Sequence, residues 1–174
     1  MFLSPIQVLR SLPLPLKAKV GDFGTGAGHY ALALAERVGL GGAVYAIDAF
    51  GPGFDSLRRE AARHHAAFYT LESDLNKHIP LKSGLLDAAV VSNILHQVSE
   101  RKHFVSELAR VIAPGGSALV VDWLGSFRNM GPPERSVLSP GEAAELFTSA
   151  GFAAGSMLPA GTHHFAFIAT RAAS

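Results

Sequence analysis

The amino-acid sequence predicts an α/β fold: a three-layer, doubly wound sheet of seven strands, mostly parallel, that ends in an antiparallel hairpin. Short apolar runs alternate with segments whose apolar residues recur at helical spacing, which is typical of a parallel sheet covered by helices. The last two apolar runs are separated only by Pro159-Ala160-Gly161. Because parallel strands need a much longer crossover, these two runs are expected to pair antiparallel.

Length and composition fit one folded domain over residues 1–174. Hydrophobic residues make up 48% of the chain, charged residues 17%, and the formal net charge is +1. So small a charge provides no general attraction to nucleic acid. No run reaches the roughly 18 apolar residues of a membrane span. A charged fraction below the usual value of about 25% is consistent with an apolar surface that is covered by a partner or by a second copy, as in a homodimer.

The sequence contains no Cys. This excludes a disulfide scaffold and any cysteine-ligated metal site, and it fits a reducing, cytoplasmic location. The two adjacent histidine pairs, His64-His65 and His163-His164, do not suggest a metal site either. Neighbouring residues on a strand point to opposite faces, so one pair does not easily chelate one ion. We therefore expect no metal.

The predicted elements follow the chain in order. Residues 1–16 predict a short helical appendage with Ser4 as N-cap, ended by Pro13 and Pro15. The later helices are predicted from apolar residues at helical spacing, from glycines that end them and from a second capping box that begins at Ser139. Buried strands are predicted from continuous runs of Ala and Val. The predicted strands are residues 17–23, 42–49, 66–71, 86–92, 117–122, 152–158 and 163–170, and the predicted helices are residues 28–38, 54–65, 99–112 and 140–150.

The most informative segment is the glycine-rich turn between the first strand and the following helix, where residues 22–28 read D-x-G-x-G-x-G. Glycines allow a tight turn and let a ligand approach main-chain N–H groups. The dinucleotide fingerprint is G-x-G-x-x-G, and His29 stands where its third glycine would fall. An acidic residue such as Asp22 suits a cationic head group better than a pyrophosphate.

Further polar residues follow the next three strands. Asp48 ends the second strand and can accept two hydrogen bonds from a ribose diol, as acids also do in NAD enzymes. After the third strand, Asp74 suits the adenine amino group, with Leu75 against the ring, and Asn93 follows the fourth strand. All these positions are carboxyl ends of proposed parallel strands, where open α/β sheets bind their ligands. The pattern favours an adenosine ligand without choosing between cofactors.

Taken together, these residues resemble the class I S-adenosylmethionine-dependent methyltransferases, in particular the small-molecule branch that includes quinone-biosynthesis and arsenite enzymes. The resemblance extends from about residue 17 to the end of the chain and also rests on residues 86–93 and 108–116. It implies a Rossmann-like fold, S-adenosyl-L-methionine as cofactor, S-adenosyl-L-homocysteine as product and methyl transfer to a small molecule. The cofactor-binding residues that it implies are Asp22, Phe23, Gly24, Thr25, Gly26, Gly28, Asp48, Ala49, Ser73, Asp74, Leu75 and Asn93.

His96, after the fourth strand, is the candidate general base if the acceptor is a hydroxyl; the alternative is a packed or solvated loop histidine. Three further apolar side chains, Trp123, Phe127 and Met130, follow the fifth strand. They could equally line an apolar substrate pocket, pack within a loop or form a dimer contact.

Only about sixteen residues precede the first strand, which is fewer than in the N-terminal segment that usually covers the substrate in this family. Two alternatives therefore stay open: a non-catalytic cofactor-binding partner subunit and an NAD(P)-dependent oxidoreductase.

Overall fold

One seven-stranded sheet organises the computed structural model, which describes residues 5–128 and 130–173. The predicted N-cap Ser4 lies outside these described residues. In the part of the chain that is described, no helix combines the length and apolar character needed to cross a membrane. The strands are β1 (Lys19–Phe23), β2 (Ala43–Asp48), β3 (Ala67–Glu72), β4 (Leu86–Ser92), β5 (Ile112–Trp123), β6 (Phe152–Ala154) and β7 (His164–Arg171), and the helices are α1 (Pro5–Leu9), α2 (His29–Val38), α3 (Phe54–Ala61), α4 (Arg101–Val111) and α5 (Pro140–Ser149).

The strand order across the sheet is β3-β2-β1-β4-β5-β7-β6. The first five strands pair parallel, and β7 pairs antiparallel with both β5 and β6. This confirms the predicted doubly wound sheet and its terminal hairpin. The order reverses between β1 and β4, so the connections that follow these two strands diverge. Such a switch point opens a crevice at the carboxyl edge of the sheet.

Two apolar clusters, one on each face of the sheet, make the molecule three-layered. On one face α1, α2 and α3 contribute Leu9, Leu34 and Leu57 to a single buried cluster. On the other face α4 and α5 contribute Phe104 and Phe147 to a second buried cluster. Since both faces are covered, the central strands such as β4 are buried along nearly their whole length, as expected for a parallel sheet, whereas the edge strand β3 is partly exposed.

Several predicted boundaries differ from the structure. The helix predicted over residues 99–112 ends at Val111, and β5 begins at the next residue instead of at position 117. Leu86 pairs with Ile112 while Ala88 pairs with Ser117, so the intervening residues form a bulge in β5. The predicted strand 152–158 ends at Ala154, and the helix predicted over residues 54–65 ends at Ala61.

The start of α4 also differs from the prediction, for a tertiary reason. The side-chain oxygen of Asn76 accepts hydrogen bonds from the backbone N–H groups of Ser99 and Glu100, at 2.9 and 3.0 Å. It also accepts the Ser99 hydroxyl at 2.9 Å. These bonds hold both residues outside the helix, which begins at Arg101.

The connection between β3 and β4 contains no helix, and the ion pair of Glu107 with Arg110 on α4 helps to hold it against that helix. The Glu107 carboxylate accepts the Ile79 N–H at 2.8 Å and the Arg110 Nε–H at 2.7 Å. Arg110 in turn donates to the carbonyls of Ile79 and Leu81, both at 2.8 Å. Glu107 is only 8% exposed, and its hydrogen bond with Arg110 is the main reason that its pKa falls to about 2.

We expect Glu107→Gln to reduce the free energy of unfolding at pH 7 by about 1.5–3 kcal/mol, because charge-assisted hydrogen bonds are lost. The pKa of Glu107 is lowered by folding, so its contribution is present above the ordinary Glu pKa of 4.5 and is lost as the pH falls through about 2. Urea unfolding at several pH values measures both effects. Glu145→Gln, at an exposed position of α5, is the matched control. Equal stability of the two variants at pH 7 would contradict the prediction.

Candidate functional site

The glycine turn after β1 is tied to the end of β2. The N–H groups of Gly24 and Thr25 both donate to the Ile47 carbonyl, at 2.8 and 3.0 Å. Gly24, Gly26 and Gly28 have φ angles of 74°, 49° and 81°, in the left-handed region that favours glycine. A Cβ atom at Gly28 would lie 2.3 Å from Leu57 Cδ1. Glycine is therefore required here for both conformation and space.

Asp48 links the carboxyl ends of three strands. Its carboxylate accepts the Gly26 N–H at 2.8 Å and the Phe50 N–H at 3.1 Å. Its carbonyl accepts the N–H of Ser73, just after β3, at 2.8 Å. The structure thus brings the glycine turn, Asp48 and Ser73 together at one edge, while Ala49 is exposed beside them.

Asp22 is a buried carboxyl group at the same edge, only 2% exposed. Thr25 Oγ1 donates to it at 2.7 Å. Burial is the main cause that raises the pKa of Asp22 to about 6, and the charge of Asp48 acts in the same direction. Hydrogen bonds from Thr25 and from the backbone of Ala31 lower that pKa in part. A cation bound next to Asp22 would favour its ionised form.

Among the described residues, two buried side-chain oxygens at this edge, Asn93 Oδ1 and the Tyr30 hydroxyl, have no hydrogen bond of normal geometry. Asn93 follows β4 with a φ of 55°, and its N–H donates to the Val121 carbonyl at 2.9 Å. Burial raises the pKa of Tyr30 to about 12, with Ser92 partly opposing the shift. An unpaired buried polar group costs about 1–3 kcal/mol, so both atoms favour a ligand with polar groups. The sequence analysis did not single out Tyr30.

Other residues predicted for the site have partners of their own. The Phe23 and Leu75 side chains are buried in the core, and Phe23 packs edge-on against Phe104 with ring centroids 6.0 Å apart. The Asp74 carboxylate accepts both the N–H and the side-chain amide of Asn76 at 3.0 Å, and Lys77 Nζ lies 3.4 Å away. The Asn76 N–H is the main cause that lowers the Asp74 pKa.

His96, in the connection after β4, is held by Asp122 at the end of β5. His96 Nδ1 lies 2.7 Å from Asp122 Oδ1, and the His96 N–H donates to Asp122 Oδ2 at 3.2 Å. Asp122 also accepts the Trp123 N–H at 2.8 Å. The sequence analysis did not include Asp122 in the site. The available signal was the same as for Asp48, an acid at the end of a buried strand.

Two surface hollows accompany this edge. One, of about 630 Å³, is lined by residues at the ends of β2 and β3 and on α3, among them Phe50, Arg58 and Glu72. The other, of about 770 Å³, is a groove between α4 and α5. None of the predicted site residues lines either hollow. The smaller hollow adjoins the strand end that carries Asp48, so it lies on the side where an adenosine is expected.

We expect the Asp22 carboxyl group to titrate with a midpoint near pH 6, because it is buried. Carboxyl ¹³C NMR of the folded chain measures this midpoint. Thr25→Val removes a hydrogen bond that lowers the pKa, so the midpoint should rise further. Since folding raises this pKa, the stabilising contribution of Asp22 is present below about pH 3.8 and is lost as the pH rises through about 6. A midpoint near 3.8 would contradict the buried geometry.

Comparison with known proteins gives a consistent result. Residues 21–120 match the family model of a methyltransferase domain. The crystal structure of a SAM-dependent methyltransferase from Aquifex aeolicus superposes with a TM-score of 0.86 at 30% sequence identity, over 97% of this chain and 90% of that chain.

Two curated relatives with similar sequences are named as methyltransferases of quinones or of quinone biosynthesis. The ubiquinone/menaquinone biosynthesis C-methyltransferase of Geobacter sulfurreducens is 29% identical over 107 residues, which are 60% of this chain and 41% of that protein. The 2-phytyl-1,4-naphtoquinone methyltransferase of Nostoc punctiforme is 30% identical over 104 residues, 59% of this chain and 45% of that protein. The chain thus spans less than half the length of these curated relatives. The family match covers more than half of the chain and includes the glycine turn, so the chain belongs to the methyltransferase domain family, among its class I S-adenosylmethionine-dependent members.

Proposed function

We propose that this chain transfers the methyl group of S-adenosyl-L-methionine to a small-molecule acceptor by direct in-line displacement. The observation that carries this proposal is the hydrogen bond between the Gly26 N–H and Asp48 at 2.8 Å. It joins a glycine turn suited to close ligand approach to a carboxylate suited to a ribose. Asp22 and the unpaired oxygen of Asn93 lie at the same edge, where they suit the ammonium group of a methionine moiety.

The residues at the edge fit the cofactor in the following way. Asp22, Asn93 and the turn of residues 24–28 would hold the methionine end, and Asp48 the ribose. Asp74 would accept a hydrogen bond from the adenine amino group. Since Asp74 Oδ1 already accepts two hydrogen bonds from Asn76, the adenine would share the carboxylate with Asn76. When bound, the cofactor supplies a methyl group already activated on a sulfonium sulfur. The protein then has to orient the acceptor and exclude water, which can supply about 7–11 kcal/mol of the barrier.

A small planar molecule of the quinone type is the acceptor class that we propose. The names of the curated relatives support it, and the formal net charge of +1 provides no attraction for nucleic acid. His96 is the residue that we propose as general base if the acceptor is a hydroxyl. The absence of Cys supports a cytoplasmic location, and the low charged fraction supports a homodimer.

Binding and turnover by the purified chain test the proposal against its two alternatives. Calorimetry should show binding of S-adenosylmethionine and S-adenosylhomocysteine, and no comparable binding of NAD(H). Incubation with methyl-labelled cofactor and a hydroquinone should transfer the label. Binding without transfer to any acceptor offered would favour the partner-subunit alternative, and tight NAD(H) binding alone would favour an oxidoreductase.

Asp48→Ala should weaken cofactor affinity about 10- to 150-fold, because it removes charge-assisted hydrogen bonds worth about 1.5–3 kcal/mol. Calorimetric Kd values measure the change. Asp87→Ala is the matched control: Asp87 is exposed at the opposite end of the sheet, where it accepts the Lys19 N–H at 2.8 Å. An unchanged Kd in a folded Asp48→Ala variant would remove Asp48 from the site.

A further inference from the structure

The strand β3 forms one edge of the sheet, and no strand of the described residues pairs with its outer side. The N–H groups of Ala67 and Ser73 point the other way: they donate to carbonyls at the two ends of β2, at 2.9 and 2.8 Å. Because backbone groups alternate in direction along a strand, the N–H and C=O groups of Phe68, Thr70 and Glu72 point away from the sheet. These three residues thus present a row of donors and acceptors to solvent.

The opposite edge of the sheet is protected in a way that β3 is not. There the edge strand β6 has only three residues, and short edge strands are one means by which proteins avoid pairing with another chain. The strand β3 has six residues, with the sequence AFYTLE. It contains no Lys, Pro or Gly, and only its last residue is charged, so it lacks the features that usually discourage pairing. Such a strand is a template for a further strand.

One face of β3 also leaves apolar side chains partly uncovered. The described connection from β3 to β4 contains no helix, and Tyr69 is 50% exposed. The Tyr69 ring stacks on that of Tyr45 in β2, with ring centroids 5.1 Å apart. Leu71 lies two residues further along the strand, on the same face, and is half-buried. A strand added beside β3 would therefore cover apolar surface as well as pair the free backbone groups.

We propose that β3 pairs antiparallel with β3 of a second copy of this chain, about a twofold axis at Thr70, so that two sheets join into one. This register uses all three outward-pointing residues: Thr70 lies opposite Thr70 of the second copy, and Phe68 lies opposite its Glu72. On the other face, Tyr69 lies opposite Leu71 of the second copy, so two partly exposed apolar side chains cover each other. The strand is thus complementary to itself.

The charges beside this edge favour a second copy over a partner of one strong charge. The helix α3, which packs beside β3, carries Asp55, Arg58, Arg59 and Glu60 and so has no net charge. Arg58 donates both to the Thr70 hydroxyl and to Asp55, so its charge is already paired within its own copy. Each copy therefore brings both signs of charge to the axis, and no like charge opposes their meeting.

This inference rests on the homodimer of the proposed function and names its surface. Thr70 and Glu72 also line the hollow of about 630 Å³ at the ends of β2 and β3. A second copy paired at Thr70 would border this hollow, which lies on the side proposed for the adenosine.

Sedimentation equilibrium of the full chain gives the first test, and the unmodified chain should be a dimer. Thr70→Pro removes the outward N–H at the axis. An edge strand tolerates proline where its N–H faces solvent, so the variant should fold while the dimer Kd rises at least about tenfold. Ala154→Pro is the matched control in the other edge strand. The Gly155 N–H donates to the Ile168 carbonyl at 2.8 Å, so the N–H of Ala154 points outward, and this variant should leave the Kd unchanged.

Cysteine crosslinking gives the second test, because the sequence contains no Cys and a single introduced thiol can react only with its symmetry mate. Opposite residues of a hydrogen-bonded antiparallel pair have Cα atoms about 5.5 Å apart, within the range of a disulfide. Under mild oxidation, Thr70→Cys should form a linked dimer at least about tenfold faster than Ala154→Cys, since dimerisation raises the effective concentration of its thiol.

The outcomes decide the interface separately from the chemistry. A chain that stays monomeric at about 0.1 mM would overturn the proposal, whether or not its free edge takes up a strand of another protein. A dimer that Thr70→Pro leaves intact, or equal crosslinking of the two cysteine variants, would also overturn it. Should Thr70→Pro fail to fold by circular dichroism, the crosslinking rates decide. A monomer that binds S-adenosylmethionine would contradict the dimer alone, and a dimer that binds none would contradict methyl transfer alone.

Discussion

The hydrogen bond from the Gly26 N–H to Asp48 is the constraint on which the rest of the site depends. It fixes the turn after β1 against the end of β2, and it forms only because the turn adopts left-handed conformations that glycine accepts readily. The contact between Gly28 and Leu57 holds the same turn against α3. The glycine turn and the Asp48 carboxylate are therefore held next to each other by a backbone–side-chain hydrogen bond.

Buried polar groups differ in their hydrogen bonding between two regions of the molecule. Glu107 and Arg110, on the far side of α4, are bonded to each other and to backbone groups, and they stabilise the fold. At the carboxyl edge, Asn93 and His164 are buried with side-chain atoms that have no hydrogen-bond partner among the described residues. Since each such group costs stability, their concentration at the carboxyl edge supports the ligand binding that we propose there.

The family match covers only part of the carboxyl edge of the sheet. The family match covers residues 21–120, which contain the glycine turn, Asp48 and Asn93. Asp122, Trp123 and His164 lie beyond that match, at the end of β5 and the start of β7. The residues proposed for the cofactor thus lie within the part of the chain that the family model matches.

By itself, the sequence determined the alternation of strands and helices, the antiparallel hairpin and the acidic strand ends Asp22 and Asp48, because these features are encoded by residues close together along the chain. Only the tertiary structure decided the start of α4, which Asn76 sets from a different connection. It also decided that His96 is paired with Asp122, 26 residues away. Such contacts depend on which strands become neighbours in the sheet, and no local pattern of residues contains that information.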